Sequence, residues 1–141
     1  MDPTIRQAIQ QKVAEEPYAR QLGLRLIELE EGHAVVEMTL IPEMENIFEM
    51  AHGGAIFSLI DEAFELAVNS HGTIAVALSM SVTYTAPPRI GDLLRAEARE
   101  VSRSRRTGTY SIQVKDGEGA LIAVCQAVAY RKDDPLPFLA S

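Results

Sequence analysis

The sequence predicts an α+β protein in which an antiparallel β-sheet wraps one long central α-helix. Three observations carry this. Gly53 to Asn69 is apolar around most of a helical circumference, the segments after it alternate apolar and small or polar residues with period two, and a short helix and a hairpin precede it. The chain has 141 residues, 47% of them hydrophobic, which suffices for one domain over residues 1–141 with a core of its own.

The elements follow in order. Ile5, Ile9 and Val13 recur every four residues after Thr4, a plausible N-cap, so a short amphipathic helix opens an N-terminal helical region spanning residues 1–20. Pro17 is expected to end that helix. Leu24 to Glu30 and Ala34 to Leu40 form a hairpin turning at Glu31-Gly32-His33, and Pro42 begins an irregular stretch through Ala51.

Projected at about 100° per residue, the long helix gathers Ser58, Asp61, Glu62, Glu65 and Asn69 in a narrow polar stripe. A stripe this narrow implies cover from a wrapped sheet or a partner. Asp61 lies at its edge, between Phe57 and Val68, where desolvation would raise its pKa, whereas Glu62 and Glu65 project nearer the centre and are expected to be solvated.

Ile74 to Tyr84 places large residues on the even positions and small ones on the odd, which are expected to face outward. Pro87-Pro88 and Gly91-Asp92 precede a charged strand from Leu93 to Val101. Thr107 to Lys115 and Ala120 to Tyr130, joined across Asp116-Gly117, complete the sheet. Leu121, Ala123, Cys125, Ala127 and Ala129 make a second small face, suggesting that subunits pack on the sheet's back in an oligomer larger than a dimer.

A net charge of −7 argues against nucleic acid as a partner, which needs a basic face. No apolar run approaches the ~20 residues of a membrane span, and the N-terminus has no apolar leader, so a cytoplasmic location without membrane attachment is expected. The single cysteine, Cys125, is expected to be inert packing, and no His/Cys cluster has metal-ligand spacing.

The chemistry concentrates at the entry to the long helix. Asn46 and His52 precede Gly53 and Gly54, where a helix start offers unpaired N–H groups and partial positive charge to an anionic oxygen. Each residue also has a plainer reading: Asn46 as a turn former, His52 as a cap, the glycines as a loop-to-helix turn. Arg103, Arg105 and Arg106, in a hairpin, and Arg89, after the prolines, are candidates for phosphate oxygens or for a solvated surface. Phe48, Met50, Phe57 and Phe64 could line a pocket or belong to the core.

The pattern of Asn46, then His52-Gly53-Gly54-Ala55-Ile56-Phe57-Ser58-Leu59-Ile60-Asp61-Glu62-Ala63-Phe64, then Asn69-Ser70 resembles the hotdog-fold acyl-CoA thioesterases of the phenylacetate-degradation type. The resemblance continues through Tyr84-Thr85-Ala86-Pro87, Gly91-Asp92-Leu93-Leu94-Arg95-Ala96 and Arg105-Arg106-Thr107. It implies hydrolysis of an acyl-CoA thioester without metal or redox cofactor. By resemblance, the Gly53 N–H binds the thioester carbonyl, Asp61 is nucleophile or general base, and Asn46 and His52 position substrate or water. Gly54, Phe57 and the four arginines would then contact substrate.

The resemblance also implies a homodimer with shared sites, paired into a dimer of dimers. Gly53 and Asp61 of one chain are two turns apart, roughly 11 Å, too far to hold one carbonyl. Some relatives carry a serine where Ala77 stands; Ser79 is expected on the same strand face. A non-catalytic acyl-CoA binder on the same fold is the alternative function. A hydratase is disfavoured because His52 and Asp61 are nine residues apart, not the usual hydratase spacing.

Overall fold

A computed structural model describes residues 1–139. Helices α1 (Pro3–Ala14) and α2 (Pro17–Leu22) lead into strands β1 (Arg25–Glu30) and β2 (His33–Thr39), then the central helix α3 (Gly53–Asn69). Strands β3 (Thr73–Tyr84), β4 (Leu93–Arg103), β5 (Thr107–Lys115) and β6 (Leu121–Pro135) follow. All pairings are antiparallel, in the order β1-β2-β4-β5-β6-β3. No helix among the described residues is long and apolar enough to cross a membrane.

The N-terminal region differs from expectation in two details. Asp2, two residues before Thr4, caps α1 by accepting the Thr4 N–H at 2.8 Å. Pro17 opens a second helix as well as ending the first: α1 stops at Ala14, Glu16 is extended (ψ 117°), as residues before proline prefer, and proline at a first helical position sacrifices no hydrogen bond. The helical region is therefore two helices with a bend at Glu15-Glu16.

Helix α3 packs on the concave face of the sheet. Leu59, Ile60, Ala63, Phe64 and Ala67 are fully buried, and Phe64 meets Tyr110 of β5 edge-on at 5.5 Å between ring centroids. Phe64 thus belongs to the core. Toward the same core, β6 presents Ala123, Cys125, Ala127 and Ala129, all buried. This corrects the expectation of an outward small face on β6: its small side chains leave room in the core for the large residues that share it, Phe64 of α3 and Tyr110 of β5 among them. Burial pushes the Cys125 thiol pKa up, keeping it protonated and unreactive.

The alternation of β3 also breaks. A bulge at Leu78 sets Ala77 opposite buried Ala129 but Ser79 opposite Val128, on the other face of β6. Ala75 is consequently buried while Val76 and Leu78 are exposed, and beyond the bulge Met80 and Val82 turn to the core. Ala77 and Ser79 do not share a face, contrary to expectation.

The closed end of the fold is pinned by Gly32, in the β1–β2 turn at φ +72°. Its N–H donates to Ser70 Oγ at 2.7 Å, and that hydroxyl donates to the Ala67 carbonyl near the C-terminus of α3. A Cβ on Gly32 would lie 2.3 Å from Glu100 Oε2 and 3.0 Å from Glu100 Cβ. Gly32→Ala is expected to cost about 1–2 kcal/mol of stability, read as a lower calorimetric melting temperature.

Candidate active site

The entry to α3 is built by the loop before it. Glu45 and Ala51 pair across a narrow turn, whose tip Asn46 closes by accepting the Phe48 N–H at 2.8 Å and the Met50 N–H at 3.2 Å through its side-chain oxygen. The turn former predicted from composition is present, and its amide nitrogen has no partner among the described residues. The same turn lifts Ile47 (90% exposed) and Phe48 (72% exposed) into solvent.

His52 is the N-cap of α3. Its Nδ1 accepts the Gly54 N–H at 2.9 Å, so the ring proton sits on Nε2 when the ring is neutral. This division of labour matters: Gly54 is occupied, whereas the Gly53 N–H has no hydrogen-bond acceptor among the described residues. The Gly53 carbonyl accepts from the Tyr84 hydroxyl at 3.1 Å, which ties the helix start to the end of β3. Gly53, Ile56, Tyr84 and Pro87 line an open cleft of about 300 Å³ there.

Asp61 lies two turns along α3 on the exposed side of the helix, and Phe57 is 36% exposed one turn before it. Its pKa is raised, first by desolvation and then by the charge of Glu16 at the start of α2. One chain does not bring Asp61 to Gly53. Asn46, His52, Gly53 and Gly54 are together at the helix start; Asp61 is separate.

The arginines divide as well. Arg103 pairs with Glu100 at 3.6 Å and contacts His71, while Arg105 and Arg106 pair with Asp133 at 3.9 and 3.0 Å. His71 and Asp133 flank the C-terminal end of α3, so this hairpin is a helix length, roughly 25 Å, from Gly53 of the same chain. Arg89 follows the Pro87-Pro88 wall of the cleft and has no side-chain partner among the described residues.

Sequence reasoning missed what covers the polar stripe. The entry to α2 touches part of it: Tyr18 and Ser58 share a hydroxyl hydrogen bond of 2.8 Å, and Glu16 meets Glu62 and Glu65. Glu62 is 4% exposed, correcting its placement as a solvated acid. Desolvation first, then hydrogen bonding and like charge from Glu16 and Glu65, push its pKa up to about 10. Burial and the approach of Glu16 in space create this environment together, and no linear pattern announces either.

A raised carboxyl pKa has a definite sign. Between the ordinary value of 4.5 and about 10, the folded chain keeps a proton that the unfolded chain has released, so stability falls as pH rises through that window. Glu62→Gln is expected to flatten this decline, by at most about 1.4 kcal/mol per pH unit, in melting temperatures recorded from pH 5 to 9.

An antiparallel sheet curled around one long helix, with an open helix start beside a cleft, is the hotdog fold. The chain belongs to the thioesterase superfamily, whose family model matches residues 48–123. It is 36% identical over 113 residues, covering 80% of this chain and 81% of the relative, to the acyl-coenzyme A thioesterase PaaI of Escherichia coli K12. The solved structure of the PaaI protein from the E. coli phenylacetic acid degradation operon has a TM-score of 0.89 at 32% identity, covering 94% of this chain and 96% of that one. A Streptococcus mutans protein solved with acetyl CoA bound has a TM-score of 0.77 at 26% identity, covering 80% of this chain and 91% of that one.

Proposed function

We propose that this protein hydrolyses acyl-CoA thioesters at two equivalent sites of a homodimer, each combining Gly53 of one protomer with Asp61 of the partner subunit. The observation that carries this reading is the Gly53 N–H, unoccupied at the start of α3 while the neighbouring Gly54 N–H is held by His52. That donor would stabilise the oxygen of a thioester carbonyl as negative charge grows on it. Asp61 of the partner subunit takes a proton from water; the water oxygen bonds to the carbonyl carbon, the carbon–sulfur bond breaks, and the CoA thiolate is protonated on leaving. Direct attack by the same carboxylate, forming an anhydride that water then cleaves, uses the same groups.

Two features support the dimer. Strand β3 is a long sheet edge of 12 residues with Val76 and Leu78 exposed, and such edges are normally paired or covered. Ile47, Phe48 and Met50 expose apolar surface beside the cleft. The acyl-CoA thioesterase name of the E. coli relative and the acetyl CoA in the S. mutans structure support the substrate class. Arg89 is the arginine best placed near the cleft for a CoA phosphate.

A thiol-release assay over aromatic, short, medium and long acyl-CoAs tests the reading. Release with at least one class is expected. Binding by calorimetry with no release from any class would overturn hydrolysis in favour of a non-catalytic acyl-CoA binder.

A further inference from the structure

The mechanism above leaves the most unusual side chain in the protein unused. Glu62 is buried, and its Oε2 has no hydrogen-bond partner among the described residues. Carboxyl oxygens from Glu16, Glu62 and Glu65 lie within 4.8 Å of one another. Three like charges in that space repel, and a buried carboxylate oxygen without a donor is costly. A proton on Glu62 removes both penalties, because the neutral acid donates to an adjacent carboxylate.

Resting on the hydrolytic reading of Asp61, we propose that Glu16 and Glu62 are positioning residues for it. The Glu62 proton, donated to the Glu16 carboxylate, clasps the N-terminal helices onto α3 and holds Glu16 against the stretch of α3 that carries Asp61. The geometry is that of a hinge with two fastenings. Glu16 sits at the extended bend between α1 and α2, and two residues further on the Tyr18–Ser58 hydrogen bond makes the second link to α3, one turn from Asp61.

The groups facing this cluster come from each packed element. Glu16 is at the entry to α2, Glu62 and Glu65 are on α3, and Lys12 and Glu15 of α1 line the adjoining groove. Cys125 of β6 is close enough for the Asp61 charge to help raise its pKa. Glu16 is the group whose charge most directly raises the Asp61 pKa, and it is held there by an acid.

The test is the pH dependence of kcat/KM for thiol release in the wild-type protein, Glu16→Gln and Glu62→Gln, with Glu62→Ala as the loss-of-clasp variant. Glu16→Gln is expected to move the acid limb downward by about half a pH unit or more and to lower the plateau severalfold, because Asp61 becomes a weaker base. Glu62→Gln keeps a donor toward Glu16 and is expected to retain the wild-type limb. Glu62→Ala is expected to shift the limb as Glu16→Gln does, and to speed amide hydrogen exchange across residues 17–22.

Superimposable limbs for the wild type and Glu16→Gln would overturn the proposal, as would unchanged exchange in Glu62→Ala. Stabilisation of the wild type, but not of Glu62→Gln, by magnesium or calcium would also overturn it, since the cluster would then hold a cation instead of a proton. Failure of the hydrolytic reading is separable: it would show as full turnover in Asp61→Asn, whereas an inactive Asp61→Asn with an unmoved Glu16→Gln limb rejects only the clasp.

Discussion

Asp61→Asn is expected to fold normally, bind acyl-CoA and lose at least about a hundredfold in turnover, the lower range for removal of a general base. The substitution is nearly isosteric at an exposed position, so little packing is at stake. What it removes is the proton acceptor, or the nucleophile, whose basicity desolvation and Glu16 have raised. A pH profile adds a second check. The wild type should lose activity toward low pH as Asp61 is protonated, with a midpoint above the ordinary 3.8 of an aspartate, and that limb should vanish from any residual activity of the variant. Turnover close to wild type would remove Asp61 from the reaction.

Gly53→Pro is expected to cost about 10²–10³-fold in kcat through loss of a single N–H donor. Proline suits this position unusually well. Gly53 is the first residue of α3, where the missing N–H breaks no helical bond, and His52 before it is at φ −68° and ψ 131°, the region favoured by residues preceding proline. Gly53→Ala is the control: a Cβ there meets the Tyr84 ring at 3.5 Å, an ordinary contact, and the N–H is kept, so activity should stay near wild type.

The two variants together test the shared site. In a two-fold dimer, a hybrid of Asp61→Asn and Gly53→Pro protomers contains one intact site and one doubly defective one. Mixing the inactive variants at equal amounts, with subunit exchange, should recover about a quarter of wild-type activity, since half the dimers are hybrids with half their sites working. No recovery would overturn the shared site.

The elements that were legible in the sequence are those whose surroundings repeat along the chain. Helix α3 ends at the predicted Gly53 and Asn69, and β5 at Thr107 and Lys115, because a two-sided environment imposes one period over the whole length. The errors fall where a single residue changes the rule. Leu78 inserts into β3 and reverses its faces; Pro17 stops one helix and starts another. Both signals are local in sequence, yet their outcome depends on what the next segment packs against.

The order of residues by itself determined the central helix, the antiparallel sheet around it, and the gathering of Asn46, His52, Gly53 and Gly54 at the helix start. Those features follow from short-range periodicity and from the conformations that glycine and a capping side chain permit. Only the tertiary structure decided which backbone N–H stays open, which face of β6 meets the helix, and that Glu62 is buried against Glu16. The physical reason is that desolvation and Coulomb interaction depend on distance in space: Glu16 and Glu62 are far apart in the chain, and folding α2 onto α3 makes them neighbours.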